Sequence, residues 1–247
     1  FRPRDLEYIS CYVRDLAEPR VADPAQQIFA SNLVKTGLMD FEVSCKGGDG
    51  ERGASPYMLR FCVEIPEVAR GPLFEPYAAL VITVPDTWPI DDFRAKVTEI
   101  AATLRLRWGT AGLTYATWSL QDLVTPSERI YAHARRHPGY DLGYFHSDLW
   151  RWHEQLRSVS WLTFLGPALR ARLEEKRGAK LQGSPALALH PAGDALCVVA
   201  GAAPEPGDVN RLGYPRAYVE ADALLRRVGF VAFLAALGAP RRPAGRV

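Results

Sequence analysis

The stretch VSWLTFLGP at residues 159–167 is the clearest fold signal in the chain. Its first seven residues are mostly apolar, and a short apolar run that ends in turn residues is typical of a buried strand. Gly166 and Pro167 stop the strand, and proline suits the first turn of a helix. We therefore expect a buried strand that leads directly into a short helix ending near Gly178.

The pattern of side chains on either side of this stretch predicts more strands and helices. Alternating apolar residues predict strands at 7–14, 40–46, 57–65, 78–84 and 113–120, and a hairpin over 186–200. Apolar residues at helical spacing predict helices at 24–37, 90–108, 125–137, 218–237 and one that starts at Phe145. Strand pairs separated by helices indicate an α+β fold with mostly antiparallel sheets packed against helices.

The same pattern leaves the domain organisation open between two arrangements. We expect one domain over residues 1–238, followed by a disordered tail at 239–247. A division into two similar lobes near residues 122–126 is the alternative.

Composition excludes several classes of protein. The 247 residues include 30 basic and 28 acidic residues, which gives a net charge of +2. The charges are interspersed, so we expect no broad nucleic-acid surface; a binding module built on Arg135, Arg136, Arg226 and Arg227 ranks behind the other interpretations. No apolar run is long enough for a membrane helix and no apolar leader is visible, so we expect a cytoplasmic protein that does not bind membranes.

The cysteines indicate a reduced protein core. Cys11, Cys45, Cys62 and Cys197 are widely separated and form no Cys-x-x-Cys pair. Three of them alternate with apolar residues in predicted strands. We expect buried thiols rather than disulfides or metal ligands.

One weak pattern for catalysis is present. His133 and His137 lie four residues apart on a predicted helix, the spacing at which two imidazoles can share a metal ion. With Asp141 as a third ligand, they would form a metal-dependent hydrolase, although two arginines between them oppose a bound cation. The chain has no Gly-x-Ser-x-Gly elbow, and its glycine cluster at 47–53 lacks the Gly-Lys-Ser/Thr ending of a phosphate loop. We therefore expect no enzyme and no cofactor.

The segment from Pro85 to Asp92 has the composition of a binding loop. Asp86, Trp88, Asp91 and Asp92 combine an aromatic anchor with three carboxylates between rigid prolines. Tryptophan is common at interface hot spots, and acids can pair with a basic pocket on a partner. Asp91 and Asp92 also suit the positive end of the helix that follows.

Two short elements of the chain resemble the signature of the type VI secretion immunity family, the TsiV family. In that family a Gly-Tyr-Asp-x-Gly element precedes a Trp-Leu-Thr-Phe-Leu-Gly strand, and a late Pro-Glu-x-Gly-Asp element, here residues 204–208, leads into a final helix. The resemblance is strongest over residues 57–237. The matching residues of the first two elements are Gly139, Tyr140, Asp141, Gly143, Trp161, Leu162, Thr163, Phe164, Leu165 and Gly166.

This resemblance implies a protein that binds and neutralises a cognate secreted effector toxin in the producing cell, without catalysis. The implied effector is a nuclease related to restriction endonucleases, which acts in the cytoplasm. On this interpretation Asp86, Trp88, Asp91 and Asp92 contact the toxin. The motif residues are expected to be structural, with Gly139 and Gly143 in turn conformations and the aromatic residues in the core.

Overall fold

The structure, a computed structural model, describes residues 8–13, 20–21, 41–46, 57–64, 77–115, 128–141, 156 and 158–225. The chain forms two compact units. The first comprises residues 1–88 and 116–122, and the second comprises residues 89–115 and 123–247. The predicted helix at 24–37, the glycine cluster at 47–53, the start of the helix at Phe145 and the tail at 239–247 lie outside the described residues.

The described part of the first unit is an antiparallel sheet of five strands in the order β2-β1-β3-β4-β5. The strands are β1 (Tyr8–Val13), β2 (Arg20–Val21), β3 (Phe41–Lys46), β4 (Met58–Glu64) and β5 (Tyr77–Thr83). Their register pairs Cys11 with Val43 and Phe61 with Leu80. Four of the five strands coincide with the alternating stretches of the sequence, so the period-two pattern identified them correctly.

The second unit contains an antiparallel sheet of four strands in the order β10-β11-β9-β6, and a short parallel pair of β7 with β8. The strands are β6 (Trp108–Ala111), β7 (Leu113–Thr114), β8 (Tyr140–Asp141), β9 (Leu162–Leu165), β10 (Leu187–Ala192) and β11 (Ala195–Ala200). The helices are α1 (Ile90–Thr103), α2 (Glu128–Arg136), α3 (Pro167–Arg177) and α4 (Arg216–Leu225). Antiparallel sheets combined with helices confirm the α+β prediction.

Strands β9 and β11 form the centre of the core of the second unit. All residues of both strands are buried. Because successive side chains of a strand point to opposite faces, both faces of the sheet must be covered. Helices α1, α3 and α4 each pack against β11. The buried cluster includes Trp161, Leu173 and Leu225.

The predicted helix over 90–108 is too long. Helix α1 ends at Thr103, because Leu104 adopts an extended backbone while its N–H still bonds to the carbonyl of Ile100. Trp108 instead begins strand β6 and pairs with Leu165 of β9. The spacing of Trp108 fits a helix, but pairing with a buried strand outweighs this local preference.

The buried strand also begins later than predicted. We placed its start at Val159, whereas β9 begins at Leu162. The hydroxyl of Thr163 accepts a hydrogen bond from the Ser160 N–H at 3.2 Å and lies 3.3 Å from the Ser160 carbonyl. This local turn occupies the backbone groups that a strand would otherwise use.

The helix after the strand matches its prediction. Pro167 is the first residue of α3, and Gly178 ends the helix in a left-handed conformation with φ of 66°. Such an end is typical of glycine, which has no Cβ to clash. Gly166 serves a different purpose: its N–H donates to the carbonyl of Arg107 at 2.9 Å.

We expect Gly166→Ala to destabilise the fold strongly. A Cβ at Gly166 would overlap the backbone carbonyl oxygens of Leu106 and Arg107, which cannot move without breaking the contact between β9 and the segment before β6. We expect a loss of about 3 kcal/mol in the free energy of unfolding, the upper range for overpacking a core. Urea denaturation of the purified variant measures it.

Gly109→Ala is the matched control for this substitution. A Cβ at Gly109 would meet only the Leu106 and Phe164 side chains, at an ordinary contact distance of 3.7 Å. Its free energy of unfolding should change by much less than that of Gly166→Ala. Equal effects of the two substitutions would show that the close approach at Gly166 does not matter.

Candidate functional site

The four residues that we predicted to contact a partner lie in two neighbouring pieces of the chain. Asp86 and Trp88 belong to a turn of the first unit, in which the Trp88 N–H donates to the Pro85 carbonyl at 3.1 Å. Asp86 is exposed and Trp88 is half-buried. Asp91 and Asp92 occupy the first turn of α1 in the second unit, and both are exposed.

The charges at the start of α1 are partly neutralised within the helix. The carboxylate of Asp91 accepts a hydrogen bond from Arg94 Nη2 at 2.8 Å. The Asp91 side chain is nevertheless 82% exposed, so this ion pair is weak and can exchange for a partner's cation. The predicted carboxylates are therefore accessible on the surface of the unit to which each belongs.

The two histidines of the predicted metal pair are in contact at the end of α2. The ring centroids of His133 and His137 lie 4.4 Å apart. Nδ1 of His133 lies 2.7 Å from the Tyr115 hydroxyl, and Nδ1 of His137 donates to the Gly207 carbonyl at 2.6 Å. One nitrogen of each ring is thus already used in a hydrogen bond that holds the local structure.

The third predicted ligand does not join them. The Asp141 carboxylate accepts a hydrogen bond from the Ser158 hydroxyl at 3.4 Å. Among the residues that the structure describes, no group of three or more His, Cys, Asp or Glu side chains could hold a metal ion. The set of His133, His137 and Asp141 is therefore not assembled as a metal centre, and the metal-hydrolase alternative loses its geometric basis.

Two titratable groups of the second unit, Tyr115 and Cys197, are also poorly suited to catalysis. Burial, reinforced by the neighbouring Tyr140, raises the pKa of Tyr115 to about 12. Burial likewise raises the pKa of the Cys197 thiol to about 12, despite the nearby charge of Arg94. Both groups stay protonated near neutral pH, and a protonated thiol is a poor nucleophile. Cys197 is free and buried, as the sequence predicts for a core cysteine.

The arginines of the nucleic-acid alternative are engaged within the protein where the structure describes them. Arg135 lies over the ring of Tyr131 at 5.9 Å. Arg136 binds the Asp208 carboxylate through Nε at 3.1 Å and Nη2 at 2.7 Å. Arg226 and Arg227 lie outside the described residues. A guanidinium held by a carboxylate is a weaker phosphate ligand, so the structure does not strengthen this alternative.

Asp208 is the one charged residue that is buried among the described residues. Besides Arg136, its carboxylate accepts a hydrogen bond from the Asn210 N–H at 3.0 Å. The sequence reasoning placed Asp208 in a family element but assigned it no role. An aspartate whose carboxylate accepts from the N–H two residues later forms a common type of turn. The sequence Asp208-x-Asn210 could have predicted this turn.

The backbone of Asp208 holds the rest of the same turn. Its carbonyl accepts hydrogen bonds from the N–H groups of Arg211, Leu212 and Gly213 at 3.0, 2.8 and 2.8 Å. Its own N–H donates to the Gly213 carbonyl at 3.2 Å. We call residues 208–214 the Asp208 loop. It is fixed to the end of α2, because the Val209 N–H also donates to the Arg136 carbonyl at 2.9 Å.

The residues of the family signature lie in structural positions. Trp161, Leu162, Thr163, Phe164, Leu165 and Gly166 are all buried. Trp161 Nε1 donates to the Gly201 carbonyl at 3.1 Å, and its ring stacks with Phe93 at 6.4 Å between centroids. The Tyr140 ring packs against Tyr115 at 4.9 Å.

The turn predicted at Gly139 is present, since the Tyr140 N–H donates to the His137 carbonyl at 3.2 Å, but it does not use the left-handed backbone that favours glycine. Gly139 does not adopt a positive φ, unlike five other described glycines. Instead its N–H donates to the Pro206 carbonyl at 2.9 Å, and a Cβ would overlap the carbonyl oxygen of Glu205. Close approach of two backbone segments, not turn geometry, excludes a side chain there. Gly143 lies outside the described residues.

Comparison with known proteins identifies the family. The family model described as TsiV, type VI immunity for VRR-NUC, matches residues 8–233. The chain therefore belongs to the TsiV family of type VI immunity proteins, which confirms the resemblance seen in the sequence. A search of curated proteins returns no match.

A solved structure has the same fold. The Pseudomonas aeruginosa T6SS protein PA0821 superimposes with a TM-score of 0.70 at 22% identity, over 91% of this chain and 67% of that chain. In the part of the chain that the structure describes, none of the helices is both long enough and apolar enough to span a membrane.

The ion pair of Asp208 predicts a loss of stability in acid. Its hydrogen bonds with Arg136, and with the Asn210 N–H, lower the pKa of Asp208 from 3.8 to about 2. The folded state therefore binds this proton more weakly than the unfolded state does. The stabilisation is complete above pH 3.8 and is lost as the pH falls towards about 2.

Asp208→Asn isolates this contribution. Urea midpoints measured from pH 6 down to about pH 2 should fall more steeply for the wild type than for the variant, which lacks the carboxylate. The two curves should converge at the acidic end. Parallel curves over the whole range would show that the Asp208 carboxylate does not contribute.

Proposed function

We propose that this chain binds a VRR-NUC nuclease effector of a type VI secretion system and neutralises it in the cytoplasm of the producing cell. The observation that carries the proposal is the match of the immunity family model over residues 8–233. The family is described by the class of effector that it opposes, and this supports a nuclease as the partner.

The described residues favour binding over catalysis as the mode of action. In His133 and in His137, one ring nitrogen takes part in a hydrogen bond within the protein. The ion pair of Arg136 with the mostly buried Asp208 holds a loop in place. An inhibitor requires a stable surface rather than reactive groups, and this arrangement fits that requirement.

We place the carboxylates of Asp86, Asp91 and Asp92 and the ring of Trp88 among the contacts with the effector. A nuclease binds phosphates largely through Lys and Arg side chains. Exposed carboxylates can occupy the same cations, and an aromatic ring nearby can provide apolar contact area. The exposure of the three acids supports this assignment.

Co-expression with the effector tests the function itself. We expect a VRR-NUC effector of the source bacterium to degrade DNA and stop growth of a host cell, and this chain to restore growth. The purified proteins should form a stoichiometric complex by size-exclusion chromatography. Growth arrest in the presence of soluble, folded immunity protein, with no complex formed, would refute the proposal.

Replacing the predicted contacts tests their assignment. The paired substitutions Trp88→Ala and Asp91→Ala should weaken affinity for the effector at least tenfold, which corresponds to about 1.4 kcal/mol. Isothermal titration calorimetry measures the affinity. Glu99→Gln is the control, because Glu99 is an acid on the same helix with 66% of its side chain exposed. Unchanged affinity in the double variant would remove these residues from the interface.

A further inference from the structure

The Asp208 loop exposes apolar side chains from a rigid turn. Leu212 is 86% exposed, Tyr214 is 47% exposed and Val209 is 38% exposed. A single exposed apolar residue is ordinary on a protein surface. Here three exposed apolar residues lie within six consecutive positions, and Leu212 is the most exposed large apolar residue that the structure describes, so the loop needs an explanation.

The loop is ordered before any partner arrives. Its Asp208 carboxylate binds Arg136 through two nitrogens, and its Asp208 carbonyl accepts three backbone N–H groups. Gly213 takes a left-handed conformation with φ of 75°, which closes the turn without a Cβ clash. Binding through a loop that is already fixed costs little conformational entropy, so its apolar side chains are effective anchors.

The hydrogen bonds that hold the loop use the Asp208 carboxylate, the Arg136 guanidinium and backbone groups, and the apolar side chains add nothing to them. Leu212 contributes its backbone N–H to the turn, whereas its side chain is almost fully in water. A polar residue at position 212 would keep the same backbone hydrogen bonds and would avoid exposing an apolar surface. The leucine side chain is therefore explained by a contact outside the chain rather than by the fold.

The charge on the loop distinguishes between two possible occupants of this surface, a second copy of the chain and a different protein. Asp208 offsets Arg136, and Glu220 offsets Arg216 through a contact of 3.0 Å. Arg211 is exposed, and no ion pair of its side chain is found among the described residues, so a positive charge beside Leu212 is left without a carboxylate partner there. A twofold contact through this loop would place the same surface, with the same positive charge, on both sides of the interface, which is unfavourable. A partner with carboxylates around an apolar recess is complementary.

We propose that the Asp208 loop is an anchor for the effector, with Leu212 and Tyr214 entering an apolar recess and Arg211 pairing with acidic groups at its rim. The proposal rests on the proposed function, since it names the effector as the occupant. A metal-dependent nuclease holds its ions with carboxylates, which supplies acidic groups of the required kind. This contact differs in chemistry from that of the acidic residues near α1.

Two sets of variants test the anchor against the catalytically inactive VRR-NUC effector that the wild-type protein binds. Leu212→Ser combined with Tyr214→Ser should weaken affinity at least tenfold, and Arg211→Glu should weaken it and reduce its dependence on salt. The controls are Leu104→Ser, at an apolar position 41% exposed just after α1, and Lys180→Glu, at an exposed cation. All five substitutions are at exposed positions, so melting temperatures should match the wild type.

A photo-crosslinking residue at position 212 identifies the occupant directly. A crosslink to the effector at position 212, and none at position 104, supports the proposal together with the affinity loss. A crosslink to a second copy of the chain overturns it. Unchanged affinity of the Leu212→Ser, Tyr214→Ser variant also overturns the anchor. In that case the proposed immunity function still stands, because the wild-type protein binds the effector. If the wild type binds no VRR-NUC effector, the proposed function fails and the anchor with it.

Discussion

The enclosure of strand β9 is the constraint on which the second unit depends. Its four residues are buried, and it lies between β11 and β6 in the sheet. A strand with no face in water needs cover on both faces of its sheet, and α1, α3 and α4 pack against the neighbouring strand β11. The Gly166 backbone must also touch the segment before β6, because the chain turns there with no room for a side chain.

This enclosure positions the loop that we regard as functional. Trp161, just before β9, donates through Nε1 to the carbonyl of Gly201 just after β11. From that fixed point the chain runs past Gly139, where two backbones meet, to Asp208 and its ion pair with Arg136. The core therefore determines where the Asp208 loop begins and ends, and hydrogen bonds within the loop determine its shape. A surface held in this way can differ in its exposed side chains without changing the fold.

Local sequence patterns predicted the elements correctly where the pattern is compatible with only one type of secondary structure. The apolar run at residues 159–165 and the Gly166-Pro167 pair predicted a buried strand and the start of α3, and Gly178 marked its end. Boundaries were wrong where local spacing fits two structures. Trp108 continues the helical spacing of α1, yet pairing with β9 places it in a strand. The turn at Ser160 depends on a hydrogen bond from its N–H to the Thr163 hydroxyl, and the spacing of apolar residues gives no information about such a bond.

The candidate site was harder to predict because its main contact joins residues far apart in sequence. Arg136 and Asp208 are separated by 72 positions, and neither is unusual in its own segment. Sequence reasoning grouped Arg136 with other arginines as a phosphate ligand, because it could not see the carboxylate that holds it. The exposure of Leu212 could not be predicted from the sequence either, because a leucine usually lies in the protein core. The family resemblance predicted what class of protein this is, and the fold shows which of its side chains remain available to a partner.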